Sequence, residues 1–477
     1  MTIKENVEEE EAPLSPMARL MQMPNIDSCI IAMIGFKTKI NLDLILDDLK
    51  HNVSKHPRFC SKPSDDGATW IKTKVNVEDH VYAPEIDPQE TNEDGQAFVD
   101  DYISGLTMIP LDRSRPMWDI HILNVKTSDA EAVGVVRCHH SLGDGVSLMS
   151  LLVACTRKTS DPEAFPTIPT IKRREPYHLR NEGNFLRSMF VIHSYVILIW
   201  NTIVDFIQRL ACGLFLKDTE IPLRQGDHIK NNLDRFYHRT VSLDDIRLIK
   251  NAMNMTINDV LLGVTQAALS RYLNGRYGGT STSDQNNLPG RIRHGVTIPV
   301  NLRQETGIQP VANMLAKDSQ CRWGNYVSSL HFPMSISLKT DPLVNLSKTK
   351  SIMDRKKHSL LASLLYSSQE FIINTFGPKV GEVIVERPRS NTTTFVSNIV
   401  GPVEDVSLHG NQIAYIALSC YGNGPKGLLI HFISYAEKLI ISIRVDPTVI
   451  PDPHHLCDEM EESLKAIKDA LSRRSNH

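Results

Sequence analysis

The chain has no paired Cys-x-x-Cys, no His-Glu-x-x-His and no glycine-rich phosphate loop. Zinc, dithiol-redox and nucleotide-phosphate chemistry therefore have no sequence support, and no metal site is expected. The eight cysteines (Cys29, Cys60, Cys138, Cys155, Cys212, Cys321, Cys420 and Cys457) are scattered. That pattern argues against a disulfide framework and for a reducing compartment. Basic charge is not in excess: the formal net charge is −3, so there is no global positive field to hold nucleic acid. An apolar leader is also missing. The acidic run from Glu5 to Glu11 reads, with residues 1–12, as a disordered tail rather than a secretory signal. No internal repeat is apparent. The most apolar stretch, residues 189–204, is interrupted by His193, Ser194, Asn201 and Thr202. It falls short of the roughly 20 clean residues that a membrane span wants.

What is present is a globular composition, 41% apolar and 22% charged, over 477 residues, long enough for two or three domains. A stretch rich in proline and basic residues (Pro162, Pro166, Pro169, Lys172, Arg173, Arg174) reads as a linker. The chain accordingly divides into an N-terminal half at 13–160, a linker with apolar helices at 161–230, and a C-terminal half at 231–477. Strands alternate with helices in both halves: a helix at 41–51, a strand at 236–241, a helix at 256–273, a hairpin of 428–435 with 438–445, and a charged helix at 454–472. Residues 278–290, crowded with Gly, Ser, Thr, Asp and Asn, read as a surface loop, and Gly422-Asn423-Gly424-Pro425 as a turn. His454, His455 and Cys457 look metal-like, but they follow Pro451 and Pro453 and open a polar helix.

The informative stretch is Arg137-Cys138-His139-His140-Ser141-Leu142-Gly143-Asp144-Gly145. A valine-rich strand, 132–136, precedes it, and a run with helical spacing, 146–155, follows. A strand that ends in His-His and turns through Gly-Asp-Gly into a helix can mount an imidazole rigidly at the mouth of a cleft. Side chains alternate along a strand, so His139 and His140 point to opposite faces and one of them faces a substrate. The same alternation disfavours a shared metal ion. The plainer readings are a structural histidine, a helix N-cap at Asp144 and ordinary turn glycines at Gly143 and Gly145.

The tandem His followed by Asp144-Gly145 resembles the HHxxxDG motif of the CoA-dependent acyltransferase superfamily. Pro110-Leu111-Asp112-Arg113-Ser114-Arg115-Pro116-Met117-Trp118 resembles the segment before the catalytic strand of wax ester synthase/diacylglycerol acyltransferases, whose usual Pro-Leu-Trp is Pro116-Met117-Trp118 here. Thr256-Ile257-Asn258-Asp259-Val260, Pro299-Val300-Asn301-Leu302-Arg303, Gly324-Asn325-Tyr326 and Ser397-Asn398-Ile399-Val400-Gly401-Pro402 match that family's pattern in order. The chain is most similar to the plant branch of the family, from about Pro16 to the C-terminal helix.

The resemblance implies an α/β protein with a two-domain CoA-dependent acyltransferase-like fold: mixed sheets flanked by helices, with the active site between the halves. It implies transfer of a fatty acyl group from acyl-CoA to a long-chain fatty alcohol, with diacylglycerol as a second candidate acceptor and no cofactor, acyl-CoA being a substrate. His140, the second His of the motif, is then the general base and His139 is secondary. A neutral imidazole that removes the alcohol's proton as the C–O bond forms contributes roughly 10²–10⁴-fold. The helix that starts at Gly145 would help keep the ring neutral if its N-terminus points at it. Asp144 is implied to be structural, with Arg303 as its expected partner, since a buried carboxylate needs a cation. Asn258, Asn301 and Asn398 are candidate positioning or oxyanion donors. Two other readings stay open: acyl transfer to a soluble alcohol or amine, and a non-catalytic lipid-binding protein on the same scaffold. A large apolar pocket would favour the lipid enzyme.

Arg187, just before the apolar segment 189–216, and Ser194, Asn201, Asp205 and Gln208 within it recur at helical spacing, a polar stripe on one face. A full membrane crossing would put His140 and Arg303 on opposite sides of the bilayer. The expectation is therefore a helix lying at a membrane lipid surface, with Lys172, Arg173, Arg174, Arg180 and Arg187 near anionic lipid. By resemblance the location is the endoplasmic reticulum, with the plasma membrane second and the catalytic halves in the cytosol.

Overall fold

The computed structural model describes residues 11–86, 95–167, 184–223, 234–278, 286–303, 310–315, 322–338, 341–423 and 427–475. Residues 1–10 of the expected disordered tail, the basic residues 172–180 and most of the expected loop 278–290 lie outside them. Glu11 and Ala12, expected in the tail, are instead ordered in strand Glu11–Pro13, which pairs antiparallel with strand Thr69–Lys72.

Two large mixed sheets organise the fold. The first runs in the spatial order Val81–Tyr82, Trp118–Leu123, Ala132–His139, Ser28–Phe36, Asn411–Gly422, Val406–Leu408 and Arg157–Lys158. Its central strand, Ser28–Phe36, is a nearly unbroken apolar run because it is buried along its length. Ala132–His139 pairs antiparallel with it, Cys138 opposite Ile30 and His139 opposite Cys29. A buried ion pair fixes this strand: Arg137 donates through Nε to Asp119 at 2.9 Å and caps the carbonyl of Ile109 at 2.9 Å. The second sheet runs Val327–Met334, His294–Asn301, Thr394–Val400, Leu428–Tyr435, Lys438–Val445 and Arg235–Ser242. The hairpin turn falls at Ala436, which takes a positive φ of 50°.

Helix Ile257–Arg276 fills the core behind the second sheet. Thr256 starts it with a capping box: its hydroxyl accepts from the Asp259 N–H, and the Asp259 carboxylate accepts from the Thr256 N–H. The helix is apolar on most sides, with Val260, Leu261, Leu262 and Val264 all buried, as a helix surrounded by protein must be. Helix Pro453–Ser475 covers it, and Cys457, read from the sequence beside His454 and His455, is packed into this core.

The two halves interlock, which a division near residue 230 does not anticipate. After Thr394–Val400 the chain leaves the second sheet and lends Val406–Leu408 and Asn411–Gly422 to the first. Gly401 permits the crossing, since a Cβ there would sit 2.4 Å from the carbonyl oxygen of Ser434. The Tyr435 hydroxyl bolts the sheets together, accepting from Val406 N–H at 3.0 Å and donating to the Ile413 carbonyl at 2.9 Å.

Candidate active site

Strand Ala132–His139 delivers the motif to the seam between the halves. His139 ends the strand, and His140 opens a single 3-10 turn, His140–Leu142, so the two rings are separated by the turn rather than by strand alternation alone. The Ser141 N–H donates to His139 Nδ1 at 3.2 Å, which makes Nδ1 an acceptor. The proton therefore sits on Nε2, which donates to Asp27 at 2.8 Å. Burial alone would raise the Asp27 carboxyl, but the hydrogen bond and charge of His139, with Arg113 on the second oxygen, hold it below its ordinary value. With both nitrogens engaged, His139 is a structural residue.

His140 is placed differently. The side-chain amide of Asn325 donates to the His140 backbone carbonyl at 2.8 Å, so its oxygen must face the ring, where it lies 3.0 Å from Nδ1. An amide oxygen only accepts, so Nδ1 carries the proton and the lone pair belongs to Nε2. Burial pushes the His140 pKa below the usual 6.5, although Asp144 and Asn325 pull the other way. The ring is thus neutral and basic at neutral pH. Burial, not the expected helix N-terminus, is the leading cause: that terminus is capped by Asp144, whose carboxylate accepts from Ser147 N–H at 2.9 Å.

Asp144 is fully buried, and its carboxylate is taken up by the other half of the chain. Arg303 from the other half grips it with Nη1 at 2.8 Å and Nη2 at 3.2 Å, and the Tyr326 N–H donates to it at 3.0 Å. Both partners of this pair are 1% exposed, a burial that would be strongly unfavourable for either charge alone. Arg303 also donates to the carbonyls of Arg322 and Gly324. Gly324, at φ +131°, occupies backbone space that L side chains avoid. Segment 322–326 thereby clasps the motif, and Trp323 donates to the Leu142 carbonyl at 2.7 Å.

The other expected residues separate. Asn301 lines the site, but its oxygen accepts from Arg303, so it belongs to the scaffold of the ion pair. Asn398 lines the site and donates to Asn258 at 2.6 Å; Asn258 itself is not in the cavity wall. Gly145 does line it, and a Cβ there would stand 2.8 Å from Ile399 Cδ1.

His140 opens onto a cavity of about 530 Å³. One stretch of wall is Ile34, Ile45, Leu49, Val136 and Leu152; another is Met17, Leu20, Met21, Ile26 and Val385. A mostly apolar chamber with a few convergent polar groups is a site for a hydrophobic ligand.

A family profile described as the wax ester synthase/diacylglycerol acyltransferase catalytic domain matches residues 48–261, and one described as the WS/DGAT C-terminal domain matches 323–468. The chain is 67% identical to wax ester synthase/diacylglycerol acyltransferase 10 of Arabidopsis thaliana, over 99% of this chain and 100% of that one. It is 58% identical to number 7 of the same organism over 98% of each. The chain belongs to the wax ester synthase/diacylglycerol acyltransferase family. The solved wax ester synthase/diacylglycerol acyltransferase of Marinobacter aquaeolei VT8 shares its fold, with a TM-score of 0.59 at 17% identity over 97% of this chain and 100% of that one. The starter condensation domain of rhizomide synthetase is similar at a TM-score of 0.51 and 13% identity, covering 97% and 94%.

Within this acyltransferase fold, three site residues were not singled out from the sequence. Asn325 belongs to the family-like Gly324-Asn325-Tyr326, but nothing local links it to a histidine 185 positions away. Asp27 gives no signal beyond an acid before a strand. His431, in strand Leu428–Tyr435, lines the cavity with a neutral ring that burial pushes down to about 3. Its signal is a lone histidine in an apolar strand, which reads equally as core.

Proposed function

We propose that this enzyme transfers a fatty acyl group from acyl-CoA to the hydroxyl of a long-chain alcohol, forming a wax ester, and that it also accepts diacylglycerol. The observation that carries the mechanism is the Asn325 bracket, which leaves the His140 Nε2 lone pair facing an apolar cavity. Nε2 takes the alcohol proton as the oxygen attacks the thioester carbon. The tetrahedral intermediate collapses, the C–S bond breaks, and the imidazolium returns the proton to the departing thiolate. No acyl-enzyme is required. Asp144 and Arg303 keep the loop in shape and stay out of the proton path. The apolar walls favour a lipid acceptor over a soluble alcohol or amine.

Membrane association fits the same reading. Helix Asn184–Leu214 contains 27 residues, Ser188–Leu214, long and apolar enough by composition to cross a bilayer, and most of them are exposed. Its inner positions are tied to the C-terminal half, which supports a helix lying at the lipid surface. We place the enzyme at the endoplasmic reticulum membrane with both halves in the cytosol; the seven described cysteines are free thiols, in keeping with a reducing compartment.

The test uses purified protein, labelled palmitoyl-CoA and hexadecanol or diacylglycerol, with separation of the lipids. Wild type should form labelled ester, and His140→Ala should form none while keeping its melting temperature. A His140→Ala variant with near-normal turnover would overturn the assignment.

A further inference from the structure

Helix Asn184–Leu214 is held on one side only. Asn201 donates to the His358 carbonyl at 3.0 Å, and the Thr202 hydroxyl accepts from Leu360 N–H at 2.9 Å. Asp205 is buried between Arg355 at 2.9 Å and Lys356 at 3.0 Å. The stretch of the polar stripe from Asn201 to Gln208 therefore faces protein, whereas Ser194 and the apolar remainder face out, with Tyr195 61% and Trp200 66% exposed. Two helices that pack beside it continue this surface. Leu361–Phe376 and Pro378–Ser390 expose Leu364, Phe371, Phe376, Val383 and Ile384. With aromatic side chains offering about 150–250 Å² each, half-exposed residues in this number exceed the few hundred Å² that a water-facing monomer tolerates.

Charge and the cavity together identify what covers this face. The exposed charged side chains of the two downstream helices, Lys379 and Arg387, are both cations. Their acids are engaged: Glu370 is half-buried and hydrogen-bonds with Tyr366, Glu382 accepts from Asn25 N–H, and Glu386 pairs with Arg389. This is the pattern of an amphipathic surface that meets anionic lipid. The backs of the same three helices, through Arg209, Gln369, Val385 and Arg389, form part of the wall of the His140 cavity. Outer face and reaction chamber are thus two sides of one layer.

We propose that helices Asn184–Leu214, Leu361–Phe376 and Pro378–Ser390 form a single lipid-docking face, and that the acceptor alcohol passes between them from the lipid surface to His140. The entry route rests on the acyl-transfer reading; the docking face does not. A water-insoluble acceptor then reaches the cavity without crossing bulk water.

The test compares wild type with the triple variant Phe371→Asn/Phe376→Asn/Val383→Asn, whose three positions do not line the cavity. Probes are phosphatidylcholine vesicles with a minor fraction of phosphatidylserine, loaded with hexadecanol, and the longest water-soluble alcohol that wild type esterifies. The variant should lose vesicle flotation and form wax ester from vesicles about tenfold or more slowly, with its melting temperature and its rate on the soluble alcohol held. A variant that still floats, or that turns over vesicle hexadecanol at the wild-type rate, overturns the proposal. So does equal loss on both alcohols, which would place these side chains in the site rather than on the surface. A wild-type protein that ignores vesicles and forms a dimer dispersed by the variant would assign the face to a second copy. If wild type esterifies neither alcohol, the acyl-transfer reading falls, and flotation still reads the docking face.

Discussion

Removing the Asn325 side chain should cripple the enzyme without unfolding it. Asn325 makes two hydrogen bonds to His140: its amide nitrogen holds the backbone carbonyl at 2.8 Å, and its oxygen receives the Nδ1 proton at 3.0 Å. Each such bond is worth about 0.5–1.5 kcal/mol net, so Asn325→Ala forfeits about 1–3 kcal/mol of orientation. At 1.36 kcal/mol per factor of ten, kcat/KM should fall roughly 5- to 150-fold, carried mainly by kcat. Asn325→Asp separates orientation from electrostatics. Its carboxylate still accepts from Nδ1–H but stabilises the imidazolium, so the His140 pKa must rise. The base works only when neutral, and activity is lost as pH falls through that pKa. In wild type, burial holds it below 6.5, so kcat/KM should be flat at pH 7 and above. In Asn325→Asp the acid limb should move to higher pH. The assay is a pH profile of kcat/KM with palmitoyl-CoA and hexadecanol. An Asn325→Ala enzyme at full activity, or an Asp variant with an unmoved limb, would refute the tautomer argument.

Asp144→Ala should lose stability and activity together, by about 3–5 kcal/mol for the stranded Arg303, with a falling melting temperature; a normal melting temperature with a collapsed rate would move Asp144 into the chemistry. Asp205→Ala leaves buried Lys356 without its carboxylate and unclasps the long helix. Its melting temperature should drop, and limited proteolysis should cut near residues 184–214 sooner than in wild type. Stability should also decline on acidification. Burial holds His56 at about 4, His294 at about 4 and His431 at about 3, so the unfolded chain takes up their protons first as pH falls below 6.5. Each such group adds a slope of up to about 1.4 kcal/mol per pH unit between 6.5 and its folded value. A melting temperature that is flat from pH 7 to pH 5 would contradict this.

Elements with their own local signal were legible in the chain. The hairpin 428–435 with 438–445 was marked by two apolar runs and a two-residue gap, and helix Ile257–Arg276 by a Thr cap and its acid three positions on. The motif histidines were legible as a pair, and their division of labour only through the family resemblance. Strand alternation predicted opposite faces, whereas the separation comes from a 3-10 turn and from which nitrogen each neighbour engages. Those neighbours, Asp27 and Asn325, stand 112 and 185 residues away, and no periodicity reports a contact of that range. The loan of Asn411–Gly422 to the first sheet was hidden for a similar reason. Its continuous apolar run suits either sheet, and only the close approach at Gly401 and the Tyr435 bolt decide between them.

The same limit applies to the outer surface, with a different cause. The long helix announces itself by hydropathy and its spacing suggests a polar stripe, but the spacing does not say what each position touches: Asn201 and Asp205 meet the body, whereas Ser194 stays exposed. Helix Pro378–Ser390 carries Lys379, Glu382, Glu386, Arg387 and Arg389, and in one dimension it reads as an ordinary charged helix. Only when Glu382 accepts from Asn25 on the body, and Glu386 is neutralised by Arg389 of its own helix, which in turn donates to the Asn25 and Asn423 carbonyls, does its outer face become apolar with a cationic rim. A lipid-facing surface assembled from separate segments is therefore defined by where charges are neutralised, and that depends on tertiary pairing. By this logic, restoring one unpaired acid should act as strongly as removing an apolar anchor. Val383→Glu should therefore weaken vesicle flotation more on anionic than on neutral lipid, whereas Val383→Lys should weaken it more on neutral lipid. Equal losses from both variants on both lipids would mean that the face binds through apolar area alone.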